Sequence, residues 1–374
     1  LASYAPGYPS KQAGSSKPED PAGAITAMSA HRRSVYFPLA LAFLSFSCFS
    51  GPEEKPARRA NPDRTGDANH PMKYLEQTAV LGKGESEIDI LVAPGIFEGA
   101  SYAKALAARL KVDSKEGGSA HRIFEQSTVR ISTVLPPGYH PEDEPAGILP
   151  DNKIYLERMR TAFASLPPGS KKILVCHSWG GATGLSGPLF GENKNLELPD
   201  LAVFSGAAWS DCVRFSSRFS GNFLAIPLFQ YPARFLAKIF GFRVLLKSPL
   251  PEVRAIAGGM PDLFSSRRVA HRSYRKVLEG PGLGSQNRDS MEEKLRGAGK
   301  KVTVVQGLKD SVMNGPRIIA LLEAFREHQA LPDHVEFLSP SLNHWPLLEQ
   351  PGLLAGIIEK RLLQEPGKSS SSPR

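Results

Sequence analysis

Short apolar runs that end at glycine or polar residues recur along the middle of the chain. Residues 173–176 (ILVC) run into His-Ser-Trp-Gly-Gly, and residues 87–110 begin with an apolar run, continue through Pro-Gly and end in a helix-like pattern. Short apolar runs bounded by turn residues predict strands that are buried on both faces, as in parallel sheets. We therefore expect buried strands of the parallel type, with turns and helices between them.

The chain turns sharply at Ser178. Gly180 and Gly181 remove the side chains that would collide as a helix, expected from Ala182 onward, packs against the strand just left. Such a turn exposes the serine hydroxyl and aims the next backbone N–H, that of Trp179, at a developing oxyanion. The spacing resembles the nucleophile elbow of the α/β-hydrolases.

The resemblance implies an acidic partner at the end of a later strand. Residues 300–312 (KKVTVVQGLKDSV) predict a strand and a turn at Gly307, and Asp310 comes just past that turn. Asp211 follows another apolar strand and is the alternative, because some hydrolases take their acid one or two strands earlier. We expect Asp310 to be the acid.

The resemblance also implies a histidine after the last strand. Residues 334–351 (HVEFLSPSLNHWPLLEQP) predict a strand, a polar loop that carries His344, and a helix-like segment. The stretch from Asn343 to Glu349 resembles the family's Gly-His-x-x-x-x-Glu motif, with asparagine in place of the glycine. An imidazole with a pKa of about 6.5 suits the activation of a serine hydroxyl at neutral pH. His344 is thus the expected base, oriented by the acid.

A second oxyanion donor is expected from the loop after an early strand. In the family this loop commonly reads His-Gly, whereas here residues 94–96 read Pro-Gly-Ile. Gly95 still allows a close approach of the backbone. The candidate donor beside Trp179 is therefore the backbone N–H of Ile96 or, failing that, of Phe97.

The first 71 residues have a different composition, typical of a disordered extension. Residues 1–27 are rich in Pro, Gly, Ser and Ala, and residues 28–48 run from basic through apolar to small residues, which is the layout of a signal peptide. The apolar run is shorter than the ~20 residues that cross a bilayer. We expect an exported protein, periplasmic or extracellular, with residues 49–71 as a solvated tether. The stretch LSFSC resembles a bacterial lipobox, so a lipid anchor on Cys48 is an open alternative.

Composition favours one large domain, because 374 residues with 41% apolar content can bury a substantial core. The resemblance covers residues 72–364 and implies an α/β fold with a mostly parallel central sheet flanked by helices. Its core is expected at 72–210 and 300–364, with a largely helical cap at about 211–299 and a disordered tail at 365–374. The chain has three cysteines, which do not predict a disulfide framework. It has no Cys/His pairs at ligand spacing and no phosphate-binding glycine loop, so we expect neither a metal nor a cofactor.

The predicted cap is basic and aromatic. Between residues 214 and 276, twelve Lys and Arg residues stand against two acidic residues, with phenylalanines interleaved. Phe223 and Phe229, together with Phe97, are candidates to line an apolar acyl pocket, while contact with a membrane surface and plain core packing stay open. An anionic lipid surface or an acidic substrate suits this charge, whereas no nucleic-acid recognition module is legible.

The sequence thus predicts an exported serine hydrolase that cleaves a small-molecule or lipid ester with an apolar acyl group, through an acyl-enzyme on Ser178. Amide, thioester or carbon–carbon cleavage are enzymatic alternatives, because the same three residues serve all of them. A non-catalytic protein that binds lipid or a partner through its cap is the alternative of another class. It is favoured by the missing loop histidine and by Cys176, which replaces the first glycine of the elbow.

Overall fold

The structure, a computed structural model, describes residues 74–96, 98–140, 143, 151–186, 198–207, 212, 250–256, 292–293, 296, 302–328, 336–339, 341–350 and 352–363. Several predicted features lie outside these residues: the extension with its signal-peptide-like segment 28–48, Cys48 and the tether, the tail, most of the cap with Phe223 and Phe229, and also Phe97 and Asp211. The boundaries of the extension, core, cap and tail stay predictions.

A sheet of seven strands forms the centre of the fold, in the spatial order β1-β3-β2-β4-β5-β6-β7. β1 is antiparallel to β3, and every other neighbouring pair is parallel, so the predicted mostly parallel sheet is confirmed. The strands are β1 Leu75–Leu81, β2 Ser86–Ala93, β3 Ser127–Val134, β4 Lys171–His177, β5 Leu201–Ser205, β6 Val302–Gly307 and β7 Glu336–Ser339.

Helices connect the parallel strands, as such crossovers require. They are α1 Ala100–Lys115, α2 Ser119–Gln126, α3 Asn152–Ala164, α4 Ser178–Ser186, α5 Gly315–Glu327, α6 Pro346–Glu349 and α7 Gly352–Ile358, which continues into a π-helical turn, Glu359–Leu363. Residues 251–256 are also helical. Within the described ranges, no helix combines the length and the apolar character needed to cross a bilayer.

Both faces of the sheet are buried, which explains the continuous apolar runs of the sequence. Successive residues of a strand point to opposite faces. In β4, Ile173 and Val175 join one apolar cluster with residues of α1 and α7, while Leu174 and Cys176 join a second cluster with residues of α3 and α5. The helices therefore cover the sheet from both sides, and the central strands end at a common edge.

Candidate active site

The chain passes from β4 directly into α4 at Ser178. Ser178 has a φ of +48°, the single positive φ of a non-glycine residue in the described part of the chain. Such a conformation costs on the order of 1–3 kcal/mol and persists only where the surrounding structure enforces it. The helix begins at Ser178 itself, so the expectation that it begins at Ala182 was wrong. Because the strand carries no loop before the helix, the serine lies at the helix N-terminus, where backbone N–H groups are unpaired.

The two glycines after the serine let α4 pack closely on the sheet, although not against the strand we expected. A Cβ atom on Gly180 would lie 2.2 Å from the carbonyl oxygen of Ala93, at the end of β2. A Cβ atom on Gly181 would lie 2.6 Å from the Cβ atom of Ala207, just after β5. The collisions avoided are therefore with the ends of the two strands that flank β4.

The structure brings Ser178, His344 and Asp310 together. Nε2 of His344 lies 3.1 Å from Oγ of Ser178, and Nδ1 of His344 lies 2.8 Å from Oδ2 of Asp310. Because a carboxylate accepts hydrogen bonds, Nδ1 carries the proton and Nε2 of the neutral ring is free to accept the serine proton. Asp310 is fully buried, and Ser178 keeps 7% of its surface exposed.

Asp310 is held as a carboxylate. Its Oδ1 accepts the backbone N–H groups of Val312 and Met313 at 2.7 and 2.9 Å, and Oδ2 also accepts a bond from Nε2 of Gln306 at 2.8 Å. Burial would raise the pKa of Asp310, but the nearby charge of His344 and these hydrogen bonds hold the pKa below its ordinary value.

The electrostatics of His344 mirror those of its partner. Burial alone would lower the pKa of His344, but the charge and hydrogen bond of Asp310 outweigh burial and raise the pKa above its ordinary value.

The loop after β6, which carries Asp310, and the loop after β7, which carries His344 and is called the histidine loop below, lie side by side. A Cβ atom on Gly307 would lie 2.1 Å from the carbonyl oxygen of Asn343. Oδ1 of Asn343 accepts the backbone N–H groups of Ser311 and His344, at 3.1 and 3.0 Å.

The glutamate of the histidine motif has a structural partner. Oε2 of Glu349 accepts the backbone N–H of Asn343 at 2.6 Å, so it ties the first turn after the loop back to the residue before His344. Asn343 stands where the motif has glycine, and its side chain adds two hydrogen bonds to this loop, from the backbone N–H groups of Ser311 and His344.

The loop after β2 lies directly against the serine. A Cβ atom on Gly95 would lie 2.8 Å from Cβ of Ser178, which is why a glycine is needed there. The hydroxyl of Tyr155 donates to the carbonyl oxygen of Pro94 at 2.9 Å and fixes the loop from the side of α3. Ile96 follows Gly95 in this loop, and Trp179 is the second residue of α4, directly after Ser178. The arrangement leaves the two predicted oxyanion donors on the two segments that flank the hydroxyl.

Sequence reasoning missed a buried acid beside this site. Glu98, in the same loop, bonds to the backbone N–H of Gly95 and to the indole N–H of Trp345. Its carboxylate also lies 3.1 Å from Nε2 of His177. One signal could have found it, because Glu98 is the single charged residue in the apolar stretch between Asp89 and Lys104.

Within the described residues, no group of three or more His, Cys, Asp or Glu side chains is placed to hold a metal ion.

Comparison with known proteins identifies the fold. No protein-family model and no curated protein sequence matches the chain. Among solved structures, a proposed aryl esterase from Burkholderia cenocepacia is similar with a TM-score of 0.52 and 15% identity, over 76% of this chain and 94% of that one. A peroxisomal α/β-hydrolase from Saccharomyces cerevisiae is similar with a TM-score of 0.52 and 11% identity, over 80% of this chain and 84% of that one.

The sheet order, the elbow after β4 and these structural similarities agree on one class of protein. The chain has the α/β-hydrolase fold, as the sequence resemblance predicted. The same fold hosts many unrelated functions, so the chemistry depends on the residues of the site.

Proposed function

We propose that the protein is a serine hydrolase that cleaves a carboxylic ester through an acyl-enzyme on Ser178. The observation that carries the proposal is the continuous hydrogen-bonded chain from Ser178 through His344 to Asp310, with distances of 3.1 and 2.8 Å. A serine hydroxyl is a weak nucleophile until a base takes its proton, and here the base is in contact with it and oriented by a buried carboxylate.

The first half of the reaction transfers the acyl group to the protein. Oγ of Ser178 attacks the ester carbonyl while Nε2 of His344 takes the hydroxyl proton, and Asp310 stabilises the imidazolium that results. The negative charge on the carbonyl oxygen is stabilised by the backbone N–H groups of Trp179 and Ile96 and by the N-terminal end of α4. When the tetrahedral intermediate collapses, the imidazolium gives its proton to the departing alcohol.

The second half regenerates the serine. Water attacks the acyl-enzyme as Nε2 of His344 takes one of its protons, and collapse of the second intermediate returns this proton to Oγ of Ser178. The acid is released, and the protein returns to its starting state. Each step uses groups of this chain and water, and the proposal calls for no metal or cofactor.

Ester cleavage with an apolar acyl group is the part of the proposal that rests on the sequence of the predicted cap. Its interleaved phenylalanines, with Phe223 and Phe229 as pocket candidates, lie outside the described residues. Export and membrane-surface contact likewise stay predictions of the sequence. Amide, thioester and carbon–carbon bond hydrolysis use the same three residues, so substrate panels must separate them.

The test is labelling with a fluorophosphonate probe and hydrolysis of p-nitrophenyl esters of graded acyl length. We expect the wild type to label with one probe per chain and Ser178→Ala to lose labelling and turnover. Ser165→Ala, an exposed serine at the end of α3, is the matched control and should label like the wild type. A folded wild type that neither labels nor hydrolyses any ester would contradict the proposal and favour a non-catalytic binding protein.

A further inference from the structure

Glu98 lies buried between three segments that meet at the site, with 2% of its surface exposed. Its Oε2 accepts the backbone N–H of Gly95 at 2.6 Å, and its Oε1 accepts the indole N–H of Trp345 at 2.7 Å. The same Oε1 lies 3.1 Å from Nε2 of His177. One carboxylate thus contacts the loop after β2, the histidine loop and the end of β4.

Each of these partners is the immediate chain neighbour of a group that the proposed reaction uses. Gly95 precedes the predicted oxyanion donor Ile96, His177 precedes the nucleophile, and Trp345 follows the base. Displacing Glu98 would therefore remove one contact from the chain neighbour of each group. Glu98 itself contacts none of the reacting atoms.

The imidazole of His177 lies between two oxygen atoms. Nδ1 of His177 lies 2.8 Å from the carbonyl oxygen of Ser205 and donates to it. On the opposite side of the ring, Nε2 lies 3.1 Å from Oε1 of Glu98. Stacking of His177 on the ring of Tyr102, at 4.4 Å between ring centroids, holds the imidazole in this orientation.

A carboxylate in such a dry position is costly unless donors compensate for the lost water. Burial would raise the pKa of Glu98, but the nearby charge of His177 and the hydrogen bond from Trp345 hold the pKa below its ordinary value. The charged form is therefore the one that the surroundings stabilise, and it fixes the positions of its donors more strongly than a neutral group would.

We propose that Glu98, paired with His177, is a positioning residue that holds the oxyanion loop, the nucleophile and the base in register. The inference rests on the proposed function, because positioning has meaning only if Ser178 reacts. Glu98 and His177 form a second buried acid–histidine pair beside Asp310 and His344. Glu98 contacts the loop after β2 and the histidine loop, and His177 directly precedes Ser178.

Glu98→Gln tests this role with little change of volume. An amide offers one acceptor oxygen, so its NH₂ group must face either the N–H of Gly95 or the N–H of Trp345, and that contact is lost. We expect kcat to fall about 10- to 100-fold with KM nearly unchanged, because a displacement on the order of 1 Å disturbs the transition state rather than substrate binding. Fluorophosphonate labelling should still reach one probe per chain, at a rate reduced by a similar factor.

Asp89→Asn is the matched control, because Asp89 is also a buried carboxylate, in the strand β2 that leads to this loop, and it accepts from Nε of Arg130 at 2.7 Å. It lies five residues before Pro94, so its loss should lower stability and leave the labelling rate at the wild-type value. Trp345→Phe is the second variant, which removes a single donor to Glu98 and keeps an aromatic ring. It should slow labelling in the same direction.

The outcomes separate the two proposals. A wild type that labels, together with Glu98→Gln and Trp345→Phe chains that label at the wild-type rate, overturns the positioning role and leaves the serine hydrolase intact. The same holds if the variants lose only the fraction of chains that label, with an unchanged rate for those that do, because this describes misfolding. A folded wild type that does not label overturns the proposed function and the positioning role together.

Discussion

At the scale of single residues, the oriented imidazole carries the proposed chemistry. Asp310 uses both oxygens to accept bonds, one from backbone N–H groups of its own loop and the other from Gln306 and His344. The bonds from the loop and from Gln306 hold the carboxylate of Asp310 in place independently of its bond to the imidazole of His344. Its position depends on the conformation of the loop that follows β6.

Replacing Asp310 by Asn should reduce kcat by about 10⁴-fold, because the amide no longer selects the tautomer in which Nε2 accepts the serine proton. The pKa of His344 is raised by the charge and hydrogen bond of Asp310. Activity requires the neutral ring, so the acid limb of kcat/KM in the wild type should lie above pH ~6.5. In Asp310→Asn, the residual activity should rise at lower pH than in the wild type, because the raising charge is gone.

The measurement is kcat/KM for one p-nitrophenyl ester between pH 4 and 9, chosen as roughly the range in which histidine titrates. Asp89→Asn, which removes a buried carboxylate away from the site, should keep the wild-type profile. An Asp310→Asn chain with wild-type turnover would show that another carboxylate orients His344, and Asp211 would be the first to test.

At the scale of elements, the fit of α4 onto the sheet decides where the hydroxyl lies. Ser178 adopts a positive φ because α4 starts without an intervening loop, and the glycines in its first turn let the helix approach the ends of β2 and β5. The same closeness brings the backbone of Trp179 beside the loop of Gly95. Small side chains in this turn are therefore a requirement of the site as well as of packing.

Gly180→Ala should destabilise the protein by about 1–3 kcal/mol, because the added methyl group would overlap the backbone of Ala93 and cannot be relieved by a side-chain rotation. The shift of α4 should also slow labelling of Ser178. Urea unfolding and the labelling rate are the two measurements.

Gly356→Ala in α7 is the matched control for this change. A Cβ atom on Gly356 would meet its nearest atom, Oγ of Ser119, at 3.8 Å, so the alanine fits. It should stabilise the helix by about 0.4–1 kcal/mol and leave labelling unchanged. Equal effects of the two alanines would contradict the close fit at the elbow.

At the scale of the whole molecule, charge is the feature that most directly suggests a partner. The formal net charge is +9 at pH 7, and the segment from 214 to 276 holds twelve Lys and Arg residues against two acids. Cationic segments are attracted to anionic lipid surfaces, by about 1 kcal/mol for each Lys or Arg near the surface. The sequence therefore predicts binding to such a surface.

We expect the protein to sediment with phosphatidylserine-containing vesicles and to dissociate from them in ~1 M salt, where the Debye length is about 3 Å. The double variant Arg267→Glu with Arg268→Glu should weaken binding about tenfold or more. Lys111→Glu with Lys115→Glu, on the exposed side of α1, makes the same change in net charge elsewhere and should have little effect. Equal binding to purely zwitterionic vesicles, or equal loss in both double variants, would contradict a localised basic surface.

Much of the site could be predicted because its signals are local. The apolar run before Ser178, the two glycines after it and the strands before Asp310 and His344 are each readable within a dozen residues. The start of α4 was placed wrongly, because the glycines after Ser178 resemble a turn when the neighbouring strands are unknown. Their true partners are Ala93, the last residue of β2, and Ala207, which follows β5.

The sequence by itself determined the alternation of buried strands and helices, the chain order of serine, acid and histidine, and the excess of positive charge, because these are properties of neighbouring residues or of composition. Only the tertiary structure decided that His344 lies between Asp310 and Ser178, which are 34 and 166 positions away along the chain. It also decided that Glu98 contacts the chain beside each reacting group. Such contacts depend on the order of the strands in the sheet, which brings the ends of β2, β4, β6 and β7 to one edge and which no local pattern encodes.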